Sequence, residues 1–303
     1  MPRLRIETRG LQSRWDIRPH RVSGGIAFLA TFLSHARGMS SLTVVYAGKR
    51  TEAVAAAEKL REILPRHFEK WRVFSLSEFE QTSSVEDVLM ILGGDGTVLR
   101  ATRHIRSPNV RVVGVNFGRA GFLCVIEPEE LEMAVKKIAT GDYHVEEIMR
   151  LSLYVDDKYV GDALNEIYVS STKPGTVIEY RLQQRELLAS DVADGVILST
   201  PVGSTAYAFS SGGPIVDERL ETVVVVPMAS MTNLRPMVLA IDTPLQVSVV
   251  KGRAQTLVDG HTVTPVEKGE VRVEKSSHSL YMISFDERPL FSRRLRKRLY
   301  GRP

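Results

Sequence analysis

Along residues 41–141, runs of consecutive apolar residues alternate with stretches whose apolar positions recur every three to four residues. The runs at 41–48 (SLTVVYAG), 87–92 (DVLMIL) and 110–118 (VRVVGVNFG) predict strands, because strands covered on both faces are almost continuously apolar. The stretches at 51–64 (TEAVAAAEKLREIL), 97–105 (TVLRATRHI) and 127–141 (EPEELEMAVKKIATG) predict helices. Thr51 is the expected N-cap of the first, and Gly141 the stop of the last. A short helix is also predicted over 24–38, while residues 1–22 show no period. Such strand–helix alternation predicts an open α/β sheet.

Around residue 149 the pattern changes. Short alternating runs separated by turn residues follow at 150–155, 163–170, 177–183, 195–199, 222–226, 246–250, 255–258, 270–274 and 281–285. Helical pattern nearly disappears, which predicts a mostly antiparallel β region. The expected organisation is an N-terminal extension (1–40), an α/β domain (41–149), an all-β domain (150–285) and a C-terminal helix (286–303). In that last helix Phe291, Leu295 and Leu299 mark one apolar face, with the charges on the others.

A length of 303 residues fits two domains at about 100–200 residues each. The single cysteine, Cys124, excludes an intrachain disulfide and fits a reducing cytoplasm. Neither a membrane span nor a signal peptide is expected: no run reaches ~18 apolar residues, and no apolar core follows the N-terminal arginines. The net charge of +4 gathers at the two ends, in Arg3, Arg5, Arg9, Arg14, Arg18 and Arg21 and in RRLRKR at 293–298. These read as solvated ends and a docking helix, so no nucleic-acid partner is expected.

Candidate chemistry starts at residues 91–101, ILGGDGTVLRA. Gly93, Gly94, Gly96 and Thr97 follow an apolar strand and open a helix, where free backbone N–H groups favour anions. The loop lacks the Gly-Lys-Ser/Thr ending of a Walker A sequence, and a carboxylate, Asp95, stands in it. Asp95 could take a proton from an attacking hydroxyl, help hold Mg²⁺, or close a turn on its own backbone. The segment 194–216, DGVILSTPVGSTAYAFSSGGPIV, concentrates glycines and the hydroxyls of Ser199, Thr200, Ser204, Thr205, Tyr207, Ser210 and Ser211. That composition suits a polar ligand such as a nucleotide. Between apolar residues of LNEIYV stand Asn165 and Glu166, which can bond a base and a ribose hydroxyl.

Taken in order, GGDGT, NFGRAGFL, NE and DGVILSTPVGSTAYAFSSGGPI resemble the NAD kinase family. The resemblance runs from about residue 41 through the C-terminal helix. It implies transfer of the terminal phosphoryl group of ATP, or of polyphosphate, to the 2′-hydroxyl of the adenosine ribose of NAD, with Mg²⁺. It also implies a Rossmann-like α/β domain, then a C-terminal β-sandwich whose chain end returns to the first domain, assembled as a homo-dimer or homo-tetramer. By position, Gly93, Gly94, Gly96 and Thr97 match the phosphate loop and Asp95 the catalytic aspartate that meets the hydroxyl. Phe122 matches a residue lining the NAD site, and Asn165 and Glu166 the pair holding the adenosine part. Asp194 matches the acid opening the long motif; Thr205, Ala206, Tyr207 and Ser210 match the part touching the dinucleotide.

Two departures stand out. Val202 replaces the threonine usual in S-T-P-T-G-S-T-A-Y, so one hydroxyl is missing near the adenine. The segment 227–239 (PMASMTNLRPMVL) keeps Arg235-Pro236 but lacks the histidine of the P-H-x-L-S pattern, and His261 stands in VDGH where relatives often have V-D-G-Q. Lipid kinases share the GGDGT loop but continue into Asn-Glu, unlike TVLRA here. A non-catalytic nucleotide sensor is the other alternative.

Overall fold

The α/β region runs β1 (Ser41–Tyr46), α1 (Thr51–Ile63), β2 (Lys70–Ser75), α2 (Leu76–Thr82), β3 (Val88–Gly93), α3 (Asp95–Thr102), β4 (Arg111–Asn116), α4 (Leu131–Thr140) and β5 (His144–Ile148). The computed structural model describes residues 40–82, 84–118, 121–285, 291 and 294–296. The helix expected over 24–38 and most of the one expected over 286–303 lie outside them. No described helix is long and apolar enough to cross a membrane.

Strands β1, β3 and β4 are buried almost throughout. Alternate residues supply two cores. Leu42, Val44, Met90, Leu92, Val113 and Val115 pack with α1 and α4, while Val45, Leu89, Ile91 and Val112 pack with Phe79, Val98 and Ala101 of α2 and α3. The burial of both faces explains why these strands read as unbroken apolar runs. Helix α4 ends at Gly141, whose φ of 76° a side-chain residue adopts only at a cost. Helix α1 is capped by Arg50 without a side-chain bond, so the Thr51 cap is not formed.

The β region follows as β6 (Leu151–Val155), β7 (Lys158–Ala163), β8 (Glu166–Ser171), β9 (Ile178–Gln183), β10 (Leu187–Ala193) and β11 (Gly195–Ser199). After a short helix α5 (Tyr207–Ser210) come β12 (Thr222–Met228), β13 (Met237–Ala240), β14 (Leu245–Lys251), β15 (Ala254–Val258), β16 (Thr262–Val266), β17 (Glu270–Lys275) and β18 (Leu280–Ser284). Two six-stranded antiparallel sheets, β10-β9-β14-β17-β6-β7 and β13-β12-β11-β8-β15-β16, enclose a core built from Leu153, Tyr180, Leu182 and Val247 of one and Val169, Val196, Leu198 and Val225 of the other. This is the β-sandwich.

The final strand departs from the expectation. β18 leaves the sandwich and enters the first sheet, whose order is β2-β1-β3-β4-β18-β5. It runs parallel to β4 and antiparallel to β5. The chain thus crosses from α/β region to sandwich and back. Leu164 and Val202, from the sandwich half, pack in the same apolar cluster as α2 and α3, which joins the two halves next to the glycine loop.

Candidate active site

The glycine loop lies at the carboxyl end of β3, beside the ends of β1 and β4, where ligands of open α/β sheets sit. Gly94 is the N-cap of α3, and its carbonyl accepts the N–H groups of Thr97 (2.8 Å) and Val98 (3.2 Å). The helix therefore starts at Asp95, two residues earlier than the apolar period indicates. A side chain on Gly93 would overlap that of Thr97, so the glycine is needed for closure. A Cβ on Gly96 would meet nothing within 4 Å; it faces open space at the helix N-terminus.

Asp95 is held from one side by three backbone amides. Phe122 N–H donates to Oδ2 (2.7 Å), and Leu123 and Cys124 N–H donate to Oδ1 (2.9 and 3.3 Å). A carboxylate offers about four acceptor positions, so one remains, on Oδ2. The residue is aimed rather than floppy.

A cavity of about 1230 Å³ opens on this loop. Gly94, Asp95, Gly96, Thr97, Gly118 and Gly121 line it together with Lys49, Arg50, Arg100 and Ser77. Arg50 donates to the Phe117 carbonyl (2.7 Å) and Arg100 is tied to Glu80 (2.9 and 2.6 Å). Lys49 has no hydrogen-bond partner among the described residues. Asp95 is the sole carboxylate in the lining, and no group of three metal-ligating side chains exists among the described residues.

His261 joins the same lining from the sandwich half. It sits on the turn between β15 and β16, where Asp259 (φ 48°) and Gly260 (φ 69°) take the paired left-handed conformation of a tight hairpin. Burial first, then Arg103 and Arg100, hold its imidazole below the usual histidine range. Asp259 on the same turn accepts the N–H groups of Leu164 (2.9 Å), Asn165 (2.8 Å) and Glu166 (3.1 Å). One hairpin thus fixes both the Asn-Glu pair and a cavity wall.

Glu166 is buried, and its Oε2 has no hydrogen-bond partner among the described residues. Burial, then the nearby Asp259 carboxylate, push its carboxyl up to about 7 against a bond from the Tyr207 N–H. Tyr168 and Tyr207 meet edge to face, centroids 5.8 Å apart, on the same side of the sheet. Burial first, then Tyr207 and the exposed Asp194, push the Tyr168 hydroxyl up to about 12. Glu166, Tyr168, Tyr207 and Asp194 therefore form a second patch, outside the cavity lining.

The long motif uses its hydroxyls differently from the expectation. Ser199, Thr200, Ser204 and Thr205 are buried and bond backbone carbonyls of Asn165, Leu164, Pro201 and Val202 (3.1, 2.6, 2.6 and 3.0 Å). Ser199 and Thr200 staple the motif to the backbone of Leu164 and Asn165, while Ser204 and Thr205 close the turn within the motif. Ser210 bonds the Ala206 carbonyl at 3.4 Å, and Ala206 is half-buried. Tyr207 is 43% exposed. Val202 is 3% exposed, in the cluster with Leu164 and Phe122. Val202→Thr is expected to lower stability by about 1–3 kcal/mol, because it buries a hydroxyl among apolar side chains; the urea midpoint reads this. An unchanged midpoint would show that the site accommodates the hydroxyl.

Phe122 is 4% exposed, its ring against Phe291. The neighbouring Arg119 and Ala120 of GRAGFL lie outside the described residues. Lys49 and Arg50 lie in no quoted motif, and Arg100, Asp259 and Tyr168 lie in quoted segments without having been singled out. The signals available for them were Lys49-Arg50 just after the first strand, and the Asp-Gly turn at 259–260.

Models of the ATP-NAD kinase N-terminal domain and of the ATP-NAD kinase C-terminal domain match residues 27–143 and 164–285. A curated NAD kinase of Thermococcus sibiricus is 37% identical over 238 residues, which cover 77% of this chain and 84% of the relative. The chain belongs to the NAD kinase family. An NAD kinase of Clostridium perfringens is 38% identical over 222 residues, 71% of this chain and 80% of the relative. Among solved structures, an NAD kinase from Archaeoglobus fulgidus in complex with ATP superposes with a TM-score of 0.69 at 28% identity, covering 87% of this chain and all of that one. Yeast NADH kinase complexed with NADH reaches 0.72 at 19% identity, with 88% of each chain covered, a likeness of fold alone.

Proposed function

We propose that this NAD kinase transfers the terminal phosphoryl group of ATP to the 2′-hydroxyl of the adenosine ribose of NAD, giving NADP and ADP. The observation that carries this is the cavity whose lining brings together Asp95, at the start of a helix, with Lys49, Arg100 and His261. The cations and the first helical amides suit a triphosphate. The open position on Oδ2 of Asp95 suits the ribose hydroxyl, which it orients by accepting a hydrogen bond. The hydroxyl oxygen then bonds the γ-phosphorus, the bond to the β–γ bridging oxygen breaks, ADP leaves, and the hydroxyl proton passes to Asp95. Positioning and charge stabilisation supply most of the rate.

Mg²⁺ belongs to this proposal as a partner of the triphosphate. The residues present fit an ion delivered on the donor, since among the described residues Asp95 is the one carboxylate in the lining and no group of three metal-ligating side chains accompanies it. Bound there, the ion neutralises charge on the transferring group. Asn165 and Glu166 are read as holding the adenosine part, with Asp194, Tyr207, Thr205, Ala206, Ser210 and Phe122 shaping the dinucleotide site. A homo-dimer or homo-tetramer and a cytoplasmic setting complete the reading. Polyphosphate as an alternative donor is tested by offering it in place of ATP.

The unpartnered Oε2 of Glu166 is the natural acceptor for a ribose hydroxyl, and only the ionised carboxylate accepts fully. With the free carboxyl near pH 7, NAD must displace a proton at lower pH. NAD affinity is therefore expected to be level above pH 8 and to weaken by up to ~10-fold per unit below pH 6. Calorimetric titration of NAD at several pH values reads this. The same slope in Glu166→Gln would remove Glu166 from the account.

A further inference from the structure

The C-terminal segment reaches the loop that holds Asp95. In RRLRKR the charges were expected on solvent faces, yet Arg294 is 3% exposed. Its Nη1 donates to both carboxylate oxygens of Glu218 (3.0 and 2.8 Å), and its Nη2 to Glu146 Oε2 (2.7 Å). Glu146 lies in β5 of the first sheet, and Glu218 follows the long motif. The guanidinium lies 5.9 Å from the ring centroid of Phe122, and Phe291 meets that ring edge-on at 6.3 Å. The backbone N–H of the same Phe122 donates to Asp95 Oδ2 at 2.7 Å.

None of Arg294, Glu218, Glu146 and Phe291 lines the cavity. A buried cation between two carboxylates is itself weak support for stability, because desolvation offsets most of the attraction. What the arrangement does achieve is geometric. It ties the chain end to the sheet, to the end of the ligand motif and to the loop whose amides aim the catalytic carboxylate. We infer that Arg294 is a positioning residue for phosphoryl transfer: it fixes Phe122, and through it the amides of Phe122, Leu123 and Cys124 that orient Asp95. The effect on turnover rests on the proposed function; the effect on the loop does not.

The test uses the full chain. Arg294→Met alone leaves two carboxylates facing each other, so Arg294→Met/Glu218→Gln is the informative variant: it keeps the net charge of the cluster. Its Tm is expected within about 3 °C of wild type. Its kcat is expected to fall about tenfold or more, with KM for ATP unchanged within about twofold. Backbone amide exchange of the peptide covering 118–126 should quicken about tenfold, with core strands unchanged. Arg294→Lys, which keeps the charge but loses the planar fork, should fall between the two. Wild-type kcat and wild-type protection at 122–124 in a well-folded double variant would overturn the inference. If the double variant does not fold, Phe291→Ala, which leaves both ion pairs intact, is read by the same exchange measurement: faster exchange at 122–124 supports the inference and unchanged exchange overturns it. Should wild type make no NADP, the exchange arm alone decides, so failure of the proposed function and failure of this inference are separable.

Discussion

Asp95→Asn is expected to lower kcat for NADP formation by about 10²–10⁴-fold, the usual worth of a positioned general base, while NAD still binds. Two losses combine. The amide cannot take up the ribose proton. It also turns one acceptor into an NH₂ group, which must face either the Phe122 N–H or the Leu123 and Cys124 N–H groups. Two donors face to face repel, so the loop loosens as well. Single-turnover kinetics separate the chemical step from product release, and amide exchange at 122–124 reports the loop. A variant with more than about a tenth of wild-type kcat would remove Asp95 from the role of base.

Gly203→Ala is expected to destabilise the protein by about 3 kcal/mol or more, at the upper end for overpacking. An added Cβ would overlap the Asn165 carbonyl, and its near neighbours there are backbone atoms, which cannot swing aside. That carbonyl accepts bonds from Thr200 N–H (2.8 Å) and Ser199 Oγ (3.1 Å), so displacing it also moves Glu166. The loss should appear twice, as a lower urea midpoint and as a higher KM for NAD in the fraction that folds. A midpoint within about 1 kcal/mol of wild type would mean that the motif and the Asn-Glu strand are not packed as described.

Much of this was legible in the sequence, for a physical reason. Strands β1, β3 and β4 are buried on both faces, so their apolar runs needed no knowledge of neighbours. Edge and outer strands were not legible. β2 buries fully only Val73, β10 only Asp191 and Ala193, and β13 no residue, so no period marks them. β18 reads like the strands before it; only pairing with β4 and β5, more than a hundred residues earlier, puts it in the first sheet. At the site, the glycine loop and the Asn-Glu pair were readable as motifs. The hydroxyls of 199–205 were readable as important, yet their partners are backbone carbonyls that composition does not reveal. Lys49, Asp259 and Tyr168 were not singled out in the sequence, and the folded chain brings them to the two patches.

The central claim, that Asp95 and the cavity beside it run a phosphoryl transfer to NAD, is met most directly by one assay. Purified protein is incubated with NAD, ATP and Mg²⁺, and the product is identified by mass and by reduction with an NADP-specific dehydrogenase. The account predicts NADP and ADP in equal amounts, with the new phosphate on the 2′-oxygen and turnover nearly abolished in Asp95→Asn. NAD binding without NADP, with ATP and with polyphosphate alike, would contradict it.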